Sequence, residues 1–130
     1  MKSLLDIFKT TSPASQDQIS ARELQNLMET SKIKVIPLDV RSDVEYNRYH
    51  IRSALHIHIV DLSIESLEKA LSLKDGEQVI VITYCNAGGR GGRSFSLLKS
   101  QNTNKNIQVK NLTHGINQWI EAGFPIEESL

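Results

Sequence analysis

From Ser20 onward the apolar positions fall into short runs separated by capping and turn residues, and the period of the runs changes along the chain. In "SARELQNLMET", Leu24, Leu27 and Met28 share one helical face, and Ser20 with Glu23 has capping-box spacing, so a helix is predicted over residues 21–30. "KVIPLDV", Lys34 to Val40, reads as a strand in which Pro37 lacks a ladder donor, pointing to an edge or a strand end. Ser42 and Glu45 repeat the capping-box spacing and predict one helical turn over "DVEYN", and a short second strand is expected near Leu55 to Ile57. Ser63 opens a helix with Ile64, Leu67, Ala70 and Leu71 on one face, which "KDGE", Lys74 to Glu77, ends with a glycine turn. Gln78 to Tyr84 is nearly all apolar, the pattern of a strand covered on both faces. Beyond a glycine cluster, Phe95, Leu97 and Leu98 predict a helix to about Ser100, "IQVKNL" a further strand, and Gly115 to Ala122 a last helix around Trp119, stopped by Gly123.

This alternation of helices and strands predicts an α/β domain with a mainly parallel central sheet flanked by helices on both faces. A chain of 130 residues can bury one sizeable core, so residues 19–130 are read as one domain and residues 1–18 as an extension in which Leu4, Leu5, Ile7 and Phe8 form a short docked helix. Fifteen acids balance fifteen bases, which argues against a nucleic-acid partner held by a broad basic surface. No run approaches the roughly 20 apolar residues of a membrane span, so no membrane partner is expected. The opening "MKSLLDIFKTTSPAS" is too short and polar for a secretory signal, and a single cysteine suits a reducing compartment; a cytoplasmic protein is the expectation.

In parallel sheets ligands sit beyond the carboxyl ends of the strands, and the only cysteine, Cys85, follows such an end in "VIVITYCNAGGRGGRS". The glycines at 88, 89, 91 and 92 let the chain aim successive N–H groups inward as a nest, and the following helix adds its positive end. With Arg90 this makes an anion cradle around a sulfur. Positive potential of that kind favours the thiolate, the nucleophilic form of cysteine, and implies covalent catalysis at Cys85. Two plainer readings stand beside it. A lone cysteine is commonly an inert buried residue, and a glycine-rich turn after a strand can be a phosphate loop, although no Lys follows these glycines.

Four separated pieces then add a resemblance: the "ISARELQNLM" helix, "LDVRSDVEYNRYHIRSALHI", "VIVITYCNAGGR" and "VKNLTHGINQWIEAGFPI". In that order and spacing the chain resembles the rhodanese-like domain family of sulfurtransferases over about Ile19 to Pro125. The resemblance implies the rhodanese-like α/β fold. It also implies transfer of sulfane sulfur from a donor such as thiosulfate, through a Cys85 persulfide, to cyanide, a small thiol or a partner protein's cysteine, with no cofactor or metal. Asn86, Ala87, Gly88, Gly89 and Arg90 would complete the loop that binds the persulfide or the donor anion. The related cell-cycle phosphatases have one more residue between the cysteine and the arginine. The shorter loop here suits sulfur, and a phosphatase or arsenate reductase is the lesser alternative, as is a non-catalytic or partner-loaded sulfur carrier. The chain departs from the family pattern at Asn86, where many active members carry a basic residue, and at Tyr49, Ser53 and His114, where glycine is usual, and His58, where proline is usual. These departures bear on substrate preference rather than on fold.

The remaining polar residues receive structural roles. Asp39 and Arg41 are expected to form a scaffold ion pair with Glu45 or its neighbours, and His50 an ordering hydrogen bond. His56 and His58 share a strand face, which is too few ligands for a metal. Trp119 is a core residue, Arg93 either a rim cation or a solvated one, and Glu121, Glu127 and Glu128 solvated charges.

Overall fold

The computed structural model describes residues 16–128, so the docked helix expected around Leu4 to Phe8 lies outside the described residues. Five strands form one sheet, in the order β1 (Gln18–Ile19), β6 (Ile107–Leu112), β5 (Val79–Tyr84), β2 (Lys34–Asp39), β4 (Leu55–His56), and every pairing is parallel. The α/β reading therefore holds. Pro37 is in neither of the two outermost strands, yet its position is still permitted locally. Val40 donates to Tyr84 O at 3.1 Å, so by the two-residue alternation of a strand the imide nitrogen of Pro37 faces away from β5. On that side β4 pairs only Leu38 and Asp39, so no ladder bond is lost.

β5 explains the two-layered core. Its six residues are all buried; Val79 and Val81 pack on one side with Leu67, Leu71, Phe95 and Leu98, while Ile80, Ile82 and Tyr84 pack on the other with Leu24, Ile116 and Trp119. The first face is covered by α3 (Ile64–Leu71) and α4 (Gly89–Gln101), and the second by α1 (Ala21–Thr30) and α5 (Gly115–Glu121). Three helices start where serines cap them: Ser20, Ser42 and Ser63 each accept from the backbone of the third helical residue, opening α1, α2 (Asp43–Arg48) and α3.

Four features differ from expectation. α3 is closed by Ser72 at φ 49 rather than by Gly76, which serves a later turn. α4 starts inside the glycine cluster, so that only Gly88, at φ 128, uses glycine's conformational freedom. Gly91 is a packing residue instead: a Cβ there would lie 3.2 Å from Cys85 N and 3.2 Å from Tyr84 Cα, where α4 rests on β5. Finally, β3 (Tyr49–Ile51) and β7 (Ile126–Glu128) form an antiparallel pair that no local pattern predicts, and Glu127 is not merely solvated, because Oε1 accepts from Ser53 N at 2.7 Å. Ser53 itself sits at φ 67, the left-handed conformation suited to the glycine that the resemblance leads one to expect there.

Candidate active site

β5 ends at Tyr84, and the chain turns over Cys85 into α4. Cys85 is 2% exposed, and its Sγ accepts a hydrogen bond from Gly88 N at 3.1 Å, so the loop is closed on the sulfur itself. The first bond within α4 runs from Gly92 N to Gly88 O at 2.8 Å. The N–H groups of Gly89, Arg90 and Gly91 therefore have no acceptor inside the helix and belong to its positive end. Ala87 and Gly89 are exposed while Asn86, Gly88 and Arg90 are half-buried, which gives the loop an outer rim and an inner wall.

One flank of the loop is held by charged and polar side chains. Glu45, on α2, accepts from Arg90 Nη1 at 2.7 Å and Nη2 at 2.9 Å, the bidentate geometry natural to guanidinium and carboxylate. The same carboxylate accepts from Asn86 Nδ2 at 2.8 Å and from Ser42 N and Oγ at 3.1 and 2.9 Å. The hydrogen bond from Arg90, joined by those from Ser42 and opposed by partial burial, holds the Glu45 carboxyl well below the usual carboxylate range. Asn86 Oδ1 accepts from Arg41 Nη1 at 3.0 Å, and Arg41 pairs with Asp39 at 2.8 Å, both residues 1% exposed or less. Burial works against the Arg41 charge, and Asp39 more than restores it, leaving the guanidinium above its ordinary value. Tyr84 completes the chain: its hydroxyl donates to Asp39 Oδ2 at 2.9 Å and accepts from Ile51 N at 3.1 Å.

The other flank is backbone. Ile116 N donates to Cys85 O at 2.8 Å and Asn117 N to Asn86 O at 3.1 Å, so the start of α5 seats the two residues that open the loop. Gly115, at φ 62, lies so close that a Cβ would come within 2.5 Å of Cys85 O. A Cβ on Gly88 would run into the Thr113 carbonyl.

The sequence-identified residues Cys85, Asn86, Ala87, Gly88, Gly89 and Arg90 thus form one continuous loop, but the side chains of Asn86 and Arg90 are turned to internal partners. Asp39 and Arg41 pair with each other rather than with Glu45. His50 has its ordering contact, Nδ1 to Tyr46 O at 2.9 Å, and Trp119 is fully buried. Glu45, Thr113 and Gly115 were not foreseen as parts of the site. Glu45 carried a signal, since a capping-box residue uses one carboxylate oxygen and leaves another free for a distant donor.

An α/β domain with a cysteine loop, closed on its own sulfur, at the carboxyl end of its central strand defines the class. The sequence model of the Rhodanese-like domain matches residues 20–122, and the chain belongs to that family. It is 30% identical over 94 residues to the Arabidopsis thaliana "Protein HIGH ARSENIC CONTENT 1, mitochondrial", covering 67% of this chain and 53% of that protein. It is also 32% identical over 102 residues to a "Probable molybdopterin-synthase adenylyltransferase" of Porphyra purpurea, covering 78% of this chain and 25% of that one. The chain therefore spans about half the length of the first relative and a quarter of the second. The solution structure of a rhodanese-like domain from Anabaena superposes with a TM-score of 0.69 at 26% identity, over 87% of this chain and 80% of that one. Thiosulfate sulfurtransferase from Pseudomonas aeruginosa (TM-score 0.68, 21% identity, 90% of this chain, 21% of that one) shares the fold. So does a yeast protein tyrosine phosphatase of the Rhodanese family (0.67, 22%, 82% and 86%). No helix among the described residues is long and apolar enough to cross a membrane.

Proposed function

We propose that this protein is a sulfurtransferase that carries sulfane sulfur on Cys85. The observation that carries the reading is the six-residue loop from Cys85 to Arg90, closed on Sγ by the Gly88 N–H at 3.1 Å. Such a loop sets one backbone N–H on the sulfur and the positive end of α4 next to it in the chain, groups suited to an anionic second sulfur attached to Cys85.

The chemistry has two halves. The Cys85 thiolate attacks the outer sulfur of a donor; for thiosulfate, the S–S bond breaks and sulfite leaves with the electron pair, so that a Cys85 persulfide remains. An acceptor nucleophile then attacks the outer sulfur of that persulfide, cyanide leaving as thiocyanate, and the thiolate returns. Ping-pong kinetics follow from the covalent intermediate. These 130 residues hold one cysteine, so the acceptor is not a second thiol among them.

Intact-mass spectrometry tests the reading. Brief exposure to a sulfane donor adds about 32 Da, one sulfur, to the wild type and not to Cys85→Ala, and cyanide removes it as thiocyanate. An unmodified wild type whose thiol still reacts with an alkylating agent refutes it. A partner-loaded carrier is a second reading, and one observation favours it. Where many active family members have a basic residue, Asn86 is tied to Glu45 and Arg41, so this position offers no free cation to a small anionic donor. Stoichiometric loading without turnover would identify the carrier, and Cys85-dependent hydrolysis of an aryl phosphate would identify a phosphatase.

A further inference from the structure

We propose that Glu45 is a specificity-determining residue, one that withholds Arg90 from incoming anions so that Cys85 takes sulfur from a singly charged hydropersulfide in preference to dianionic thiosulfate. This rests on the sulfurtransferase reading of Cys85 and names the donor class of that same site.

Three observations carry it. Both terminal nitrogens of Arg90 are spent on Glu45, at 2.7 and 2.9 Å, and the two side chains are 30% and 28% exposed, so the pair is half-buried yet within reach of solvent. Arg90 also closes the six-residue loop that opens at Cys85 and is tied off on Sγ by Gly88 N, so its guanidinium is the cation of that loop. Freed from Glu45, it is the cation placed to seat a donor's anionic group. Finally, the charges of the network cancel: Arg90 against Glu45 and Arg41 against Asp39. With those pairs balanced, a Cys85 thiolate leaves its buried surroundings with one uncompensated negative side-chain charge, which opposes a dianion more than a monoanion. Arg93 is a further cation near the loop, its Nη1 3.8 Å from where a Cβ on Gly89 would lie, and its exposure to solvent screens its pull on a donor. What the loop offers a donor is chiefly neutral N–H dipoles, sufficient for one sulfur and poorly matched to a sulfonate.

The step with a hydropersulfide is balanced without an outside oxidant or reductant. The Cys85 thiolate attacks the terminal sulfur of R–S–S⁻, the S–S bond of the donor breaks, and R–S⁻ departs with the electron pair and takes a proton from water. The transferred atom stays at the sulfane level, now in a Cys85 persulfide.

The experiment measures kcat/KM for thiosulfate and for cysteine hydropersulfide, with cyanide as acceptor and thiocyanate as readout, in the full chain and in Glu45→Gln, Glu45→Asp, Arg90→Gln and the Glu45→Gln/Arg90→Gln double variant. The wild type favours the hydropersulfide. Glu45→Gln raises the thiosulfate-to-hydropersulfide ratio about tenfold, the effect of one charge-assisted hydrogen bond gained by the donor. Glu45→Asp, which keeps the charge, holds the low ratio, Arg90→Gln alone, which bares the Glu45 carboxylate, lowers it further, and the double variant loses the rise. A readout that needs no variant is salt: kcat/KM of the wild type for thiosulfate holds or rises with ionic strength if the site is net negative, and falls if a cation seats the donor. A wild type that prefers thiosulfate, or whose thiosulfate kcat/KM falls steeply with salt, overturns the proposal. So does a ratio unmoved in a folded Glu45→Gln, or a rise that survives in the double variant; in each of these cases the sulfurtransferase reading stands. If neither donor yields thiocyanate from a wild type whose Cys85 still alkylates, that reading falls and the assignment of Glu45 with it.

Discussion

The two flanks of the cysteine loop are built from different materials. On the α2 side, Glu45, Arg41, Asp39 and Tyr84 hold it through side-chain hydrogen bonds and ion pairs; on the α5 side, Gly115 and the backbone of Ile116 and Asn117 hold it through close approach. The backbone flank fixes where Cys85 and Asn86 lie and has no side-chain chemistry to adjust. The side-chain flank fixes which charges the loop presents, and a single substitution can reset it. Position and electrostatic character are thus supplied separately.

Substitutions can break this comparison at either side. The largest effect belongs to the backbone flank. Gly115→Ala combines a positive φ of 62 with a Cβ driven into the loop carbonyls, and costs about 4 kcal/mol or more, read as loss of the cooperative unfolding transition followed by the fluorescence of buried Trp119. Preserved stability in that variant would mean that the close approach is not a constraint. Next comes Asp39→Asn, which leaves Arg41 buried at 1% exposure without its counter-charge; a loss of about 3 kcal/mol in urea denaturation is expected. The smallest effect is the acid response of Glu45. Its folded carboxyl titrates below its unfolded value, so on acidification the unfolded chain takes the proton first. The clamp's contribution is complete above about pH 5 and is lost progressively as pH falls below about 4. Between pH 7 and pH 3, Glu45→Gln should therefore lose about 1 kcal/mol less stability than the wild type, and equal losses would show that the clamp adds nothing to folding.

The parts legible in the sequence share a physical reason. Ser20, Ser42 and Ser63 announce helix starts because a cap is a contact between residues three apart, and "VIVITY" announces the central strand because burial on both faces removes the polar alternation. The site was legible as far as it is one continuous loop: Cys85 and its glycines are neighbours in the chain, and the family pattern in "DVR", "EY" and "HI" placed the rest of the frame. The start of α4 was misplaced because glycine has low intrinsic helix propensity, and only the packing of Gly91 against Cys85 N and Tyr84 Cα shows why the helix tolerates it there.

By itself, then, the sequence determined the alternating helices and strands, the helix caps, and a thiol at a strand end among small residues, all of which rest on interactions along a few consecutive residues. The tertiary structure decided the pairing of β3 with β7, the seating of the loop on Gly115, and the partner of Arg90. Each joins segments far apart in the chain; Glu45 and Arg90 are separated by 45 residues and meet because the parallel pairing of β2 with β5 brings the carboxyl ends of both strands to the same edge of the sheet. Whether Arg90 faces a donor or a carboxylate is therefore set by strand order and register, which no local pattern encodes.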